Sequence, residues 1–196
     1  NGKIDESTCT SPSYDDCSDP LVVSAAGNFA LSTVAAKLDY SASCLTTNAQ
    51  FRDLVAAVEV PAGAPLDVDI VATAVGDVAL AASTTCGDAS SEIACNSVAE
   101  TAGVARLRLR GLAAGTYPVY VFTDASSPVA FSVDYLAAEP APTNDTCGTA
   151  APLTPGVHVV ADLTDAHADL TSACGPVAGD LAYSFTLAAP SDVHVF

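Results

Sequence analysis

The chain has 196 residues, 50% of them hydrophobic and 15% charged, with a formal net charge of −17. That apolar content allows one or two domains with real cores and excludes a disordered chain. The acidity excludes a general nucleic-acid footprint and anionic membrane surfaces as partners. No apolar run approaches the roughly 18 to 20 residues of a membrane span, so no membrane insertion is expected, and divalent cations are the natural counterions. There is no initiating Met, basic n-region or apolar h-region, which predicts a removed signal peptide or a window cut from a longer chain.

Residues 1–13 form an acidic segment, in which Asn1-Gly2-Lys3-Ile4-Asp5-Glu6 is followed by Cys9. It resembles the tail of the acidic, cysteine-containing metal-binding motif of large bacterial surface proteins, where closely spaced carboxylates and a turn glycine wrap a hard cation. By that resemblance Asp5 and Glu6 match the closing carboxylates, and the earlier ligands would precede Asn1. The other reading is an acidic linker, with Cys9 bonded to a cysteine upstream.

From residue 14 the signals are β. Apolar runs predict strands over Asn28–Thr33, Leu54–Val60, Val68–Ala74, Val78–Ala82, Val104–Leu109, Thr116–Phe122 and Val129–Tyr135. Gly, Pro, Asn, Asp and Ser punctuate them, so the expected fold class is all-β, an antiparallel, jelly-roll-like β-sandwich over 14–136, with helix only in short turns. Alternation puts Phe131, Val133 and Tyr135 on one face of their strand and Ser132 and Asp134 on the other, and sets Val68 and Ile70 against Asp67 and Asp69 in the same way. The Ser-, Asp- and Gly-rich stretch from Cys86 to Cys95 reads as a stapled surface loop. Residues 137–143 are a Pro-rich, semi-rigid linker, and 144–196 begin a second module.

That second module repeats the first. Asp15, Cys17, Asp39, Cys44 and Asp53 recur as Asp145, Cys147, Asp169, Cys174 and Asp180, with the two cysteines 27 positions apart in both copies. Asp67-Val68-Asp69-Ile70 is answered by Asp192-Val193-His194-Val195. Aligned in this way Phe196 corresponds to Val71, so the second copy is an incomplete sandwich. It is expected to be completed by strands from outside residues 1–196, either a continuation or a neighbouring subunit by strand addition. Burial of Val159, Leu181, Tyr183, Phe185 and Val193 is the observation that bears on this.

Seven cysteines in repeat-related pairs predict disulfides and an oxidising extracellular or cell-surface setting. The equal spacing favours Cys17–Cys44 and Cys147–Cys174, and leaves Cys86–Cys95.

Several short motifs now stand together: Asn144-Asp145-Thr146-Cys147, the aspartate ahead of the second cysteine, Gly179-Asp180-Leu181-Ala182-Tyr183-Ser184-Phe185, Thr85-Cys86 with Ile93-Ala94-Cys95, and Ala114-Gly115-Thr116-Tyr117. In this order they resemble bacterial pre-peptidase C-terminal domains, β-sandwich modules appended, often in tandem, to secreted peptidases and found in large surface proteins. The resemblance spans residues 14–136 and half of a second copy. The first copy departs from it at Tyr14 and Ala56, where the second has Asn144 and Tyr183.

Three recurring aspartates per copy point to a metal. Asp15, Asp39 and Asp53, and Asp145, Asp169 and Asp180, would repel one another unless neutralised, and the resemblance implies calcium held by carboxylates near the module entrance. The plainer reading is that each Asp caps a turn through its side chain. Arg106-Leu107-Arg108-Leu109-Arg110 holds half of the six basic residues. On a strand Arg106, Arg108 and Arg110 share a face, as a docking strip for an anionic extracellular polymer or an acidic neighbouring module, or as a solvated face that deters edge pairing. For nucleophilic catalysis the chain offers no Gly-x-Ser-x-Gly or His-Glu-x-x-His pattern, and its histidines, His158, His167 and His194, all lie in the second copy. The expectation is a non-catalytic adhesion or assembly module of a large secreted or surface bacterial protein, binding neighbouring modules or subunits, as in a filament. The alternative is the C-terminal substrate-binding accessory region of a secreted hydrolase or peptidase.

Overall fold

Nine strands build the first unit: β1 (Leu21–Val23), β2 (Gly27–Ser32), β3 (Arg52–Val60), β4 (Leu66–Val75), β5 (Val78–Ser83), β6 (Glu92–Val98), β7 (Ala102–Leu112), β8 (Gly115–Thr123) and β9 (Pro128–Ala137). The computed structural model describes residues 13–45, 50–99, 102–124, 128–163, 165–167 and 179–194, and the chain divides into two units, Asn1–Ala138 and Glu139–Phe196. The acidic segment with Asp5, Glu6 and Cys9 lies outside the described residues. No α-helix occurs among the residues that are described.

One sheet has the order β1-β3-β8-β5-β6 and the other β2-β9-β4-β7. β1 runs parallel to β3; every other neighbouring pair in this unit is antiparallel. The inner faces follow the alternation: Leu54 and Val58 of β3, Val68 and Ile70 of β4 and Phe131 and Val133 of β9 meet in one buried core. Each large side chain fully buried there stabilises by about 1.5 to 3 kcal/mol. Where β5 and β7 approach, a Cβ on Gly103 would stand 2.6 Å from Val78 Cγ1 and 2.9 Å from the Gly76 carbonyl oxygen. Gly103→Ala should therefore cost about 1 to 3 kcal/mol by overpacking, read as a lower urea midpoint with an unchanged slope.

The outer face of the first sheet is also covered. Phe51, Val55, Ala79, Ala81, Tyr120 and Phe122 form a second apolar cluster, against which Tyr40, Ala42 and Leu45 of the β2–β3 connection pack. This connection is a strap across the sheet, and the Tyr40 and Tyr120 rings lie 4.9 Å apart beneath it. The strap is why all six residues of β5 are buried: a strand sandwiched on both faces needs no polar alternation.

The strap also fixes the disulfides, and they differ from the expected pairs. Cys17 is bonded to Cys86, and Cys44 to Cys95. The expected Cys86–Cys95 bond fails because Cys95 lies within β6, opposite Ala81, while Cys86 lies beyond the end of β5. The two are thus offset along the hairpin by roughly 10 Å or more, further than a disulfide reaches. The expected Cys17–Cys44 bond fails because Cys17, in the entry segment before β1, and Cys44, in the strap, are each tied to the β5–β6 hairpin. The repeated spacing of 27 covers β1, β2 and part of the strap, and is not the span of a bond. The stretch read as a surface loop is instead a short 3-10 turn (Ala89–Ser91), with the Asp88 carboxylate accepting from the Ser90 N–H, followed by the edge strand β6.

In the second unit a 3-10 turn (Cys147–Thr149) precedes β10 (Ala151–Pro152), which pairs in parallel with β11 (Tyr183–Ser184). Ala151 stands opposite Tyr183, as Leu21 stands opposite Ala56 in the first unit. Cys147 is an exposed free thiol, and its expected partner Cys174 lies outside the described residues. Val159, Phe185 and Val193 are exposed, at 44%, 46% and 46%, and Leu181 and Tyr183 are half-buried.

Candidate functional site

Two backbone hydrogen bonds and one to a side chain gather the aspartates of the first unit. Tyr14 O accepts from Val55 N at 2.7 Å and Lys37 O from Asp53 N at 2.8 Å, while Asp15 Oδ1 accepts from Lys37 N at 2.9 Å. These bonds join the entry segment, the strap and the start of β3. Asp53 Oδ2 then accepts from the backbone N–H groups of Asp39 and Tyr40, at 2.9 and 2.8 Å. Tyr14 and Ala35, on either side of this joint, hold left-handed φ angles of 68° and 67°, a strain of about 1 to 2 kcal/mol each for residues with a Cβ.

The result is a carboxylate cluster. One oxygen from each of Asp15, Asp39 and Asp53 lies within 4.8 Å of the others. Ligands on opposite sides of a calcium ion stand about 4.6 to 5.2 Å apart, twice the usual calcium–oxygen distance, so one hard cation fits among all three. Asp15 and Asp53 are buried and Asp39 is exposed, which leaves an open side for water ligands. Asp53 Oδ1 is buried and accepts no hydrogen bond. Burial pushes the Asp53 carboxyl up to about 7; the N–H bonds from Tyr40 and Asp39 oppose the rise, and the neighbouring Asp39 and Asp15 charges add to it.

The second unit repeats the frame with its own residues. Asn144 O accepts from Ala182 N at 2.7 Å and His167 O from Asp180 N at 2.9 Å, and Asp145 Oδ1 accepts from His167 N at 2.9 Å. His167 takes the place of Lys37, with its Nδ1 3.6 Å from Asp145 Oδ2. Asp145 and Asp180 are thus set as Asp15 and Asp53 are; Asp169 lies outside the described residues.

The arginines share the outer face of β7, with Leu107 and Leu109 buried on the other. Arg110 Nη1 donates to Asp67 Oδ2 at 2.8 Å, and Gly111 N donates to Asp67 Oδ1 at 2.8 Å. Arg108 Nε lies 3.2 Å from Asp69 Oδ1 and its Nη2 lies 3.7 Å from Asp67 Oδ2. Arg108 and Arg110 therefore pair with carboxylates of their own sheet, and Arg106 is exposed. Asp67, expected on the solvent face, is fully buried beside a register shift between Leu66 and Val68. The extra residue of this bulge lies on β7, between Leu109 and Leu112; Asp67 keeps the face of Asp69 and is covered there by Arg110 and Arg108, a contact that no sequence signal marked.

Among the described residues no helix is long and apolar enough to cross a membrane, and the two disulfides fit an oxidising compartment. No protein-family model and no curated protein matches the chain. Among solved structures it is similar to the pre-peptidase C-terminal domain of collagenase from Bacillus anthracis, at 12% identity and a TM-score of 0.36, with 60% of this chain and 94% of that one covered.

Proposed function

We propose that the first unit is a non-catalytic, calcium-binding β-sandwich module of an extracellular protein, serving adhesion or assembly, with the ion pinning the strap and the entry segment to β3. The observation that carries the reading is Asp53 Oδ1, a buried carboxylate oxygen without a hydrogen bond in a cluster with two further carboxylates. Burying such an oxygen is costly unless a proton or a cation meets it. Calcium, taking six to eight oxygens in flexible geometry, suits three carboxylates completed by water.

The test follows from competition between the proton and the ion. The Asp53 carboxyl is raised when folded, so the metal-free protein holds more protons than its unfolded chain between the ordinary Asp pKa of 3.8 and about 7. That contribution to stability is complete below the lower value and is lost as pH rises through the upper one. Calcium should thus raise the melting temperature little at pH 5 and by on the order of 10 °C at pH 7.5, for calcium at about 100 times Kd. Asp53→Asn should melt higher than the metal-free parent at pH 7.5, because its amide keeps the backbone acceptor and removes a charge, and should not respond to calcium. Calorimetry with EDTA and then calcium checks both. Equal melting temperatures with and without calcium at pH 7.5 would end the metal reading.

A second reading, a substrate-binding accessory region of a secreted hydrolase, is favoured by one surface. The outer face of the β2-β9-β4 sheet is concave, lined by Asn28, Val71, Thr73, Ala130 and Ser132 among others.

A further inference from the structure

The first unit is a template for what the second requires. On β3, Leu54, Ala56, Val58 and Val60 face the inter-sheet core and are 0–4% exposed. By the repeat their counterparts are Leu181, Tyr183, Phe185 and Leu187, of which Phe185 and Leu187 are 46% and 43% exposed. β3 lies between β1 and β8, whereas β11 is paired, among the described residues, with β10 alone. Two polar positions repeat the pattern. Asp192 is exposed where Asp67 is buried against Arg110 and Gly111 of β7. Cys147 is an exposed thiol where Cys17 is bonded to Cys86, beyond the end of β5.

From this we infer that the second unit is the acceptor half of a sandwich, whose occupant is a polypeptide repeating the first unit's β5 to β9. This polypeptide supplies an antiparallel strand for the free edge of β11, a facing sheet for Tyr183, Phe185 and Leu187, an arginine for Asp192 and a thiol for Cys147. The apolar row, the carboxylate and the thiol each call for the same missing half. A second intact copy of the chain does not meet these needs, since its own β8 already lies between β3 and β5 and its Cys86 is already bonded. The inference deepens the assembly part of the proposed function, while the calcium experiments concern the first unit and are decided separately.

The probe is the full chain with a second copy of residues 72–138 joined behind Phe196, which the repeat aligns with Val71. It is refolded with oxidised glutathione, which accepts the two electrons as Cys147 and the appended counterpart of Cys86 lose their protons and join, releasing two molecules of reduced glutathione. Non-reducing peptide mapping should find Cys147 linked to that appended cysteine, and amide exchange over 181–187 should slow at least 100-fold relative to the parent. Cys147 left alkylatable, or linked to Cys174, overturns the inference. So does a parent chain that is already dimeric with 181–187 protected, because a second copy would then be the occupant. If the extended chain does not fold, a synthetic polypeptide spanning 77–123, which carries Cys86 together with β8, the neighbour of β3, is added to the parent with oxidised glutathione in its place. Coupling to Cys147 with slowed exchange over 181–187 supports the inference, and coupling without slowed exchange overturns it.

Discussion

Reduction of Cys17–Cys86 and Cys44–Cys95 should destabilise the first unit more than any other single treatment. The bonds close loops with sequence separations of 69 and 51 residues, and restoring that freedom to the unfolded chain costs about 4 kcal/mol for each. Because the loops overlap, the second closure constrains a chain already shortened by the first, and the joint loss falls below the sum. The strap adds a local effect. Once released it exposes the cluster of Phe51, Tyr120 and Phe122, so the reduced protein should bind a hydrophobic dye before its inter-sheet core melts. Replacing Cys44 and Cys95 together by Ala tests one bond alone: a fall of about 10 °C in Tm is expected. Non-reducing peptide maps that joined Cys17 to Cys44 would overturn the arrangement.

Arg110→Ala is expected to have the next largest effect. Asp67 is fully buried, and Arg110 contacts it at 2.8 Å, with Arg108 further away at 3.7 Å. Removing one partner of a buried pair leaves an uncompensated charge and costs about 3 to 5 kcal/mol. Here the lower figure is expected, because the Gly111 N–H and Arg108 remain. Arg106→Ser, on the same strand but exposed, should change stability by less than about 0.5 kcal/mol. Urea denaturation of the two variants side by side checks the contrast, and equal losses would show that the stripe acts as one surface rather than as one buried anchor and an exposed remainder.

Seven of the nine strands in the first unit were legible, because an apolar run broken by turn residues has few other uses. The inner face of β9 followed from simple alternation at Phe131 and Val133. The aspartate cradle was legible because the chain states it twice. What stayed hidden depends on layers rather than on strands. The Val78-Ala79-Leu80-Ala81-Ala82 run, lacking polar alternation, was the available sign that something covers both faces of β5, but it does not say what. β6 was concealed by its Asn, Ser and Glu content, which an edge strand tolerates. The equal cysteine spacing was a true regularity attached to the wrong object. The burial of Asp67 escaped because its cover, Arg110 and Arg108, comes from the distant strand β7.

The crossed disulfides also set how the module would bear a mechanical load. A pull entering at residue 13 passes from Cys17 directly to Cys86 through sulfur, and so bypasses the hydrogen bonds between β1 and β3. Residues 18–85 then cannot be drawn out at all, whatever happens to their sheets. Only residues 13–17, the path through 86–95 and the stretch from 96 onward can lengthen, at no more than roughly 3.3 to 3.6 Å per residue. In a tethered chain the unit would behave as a short, stiff link with a capped extension, holding its strap unstretched while Asp15, on the loaded side of Cys17, and the later strands take the strain.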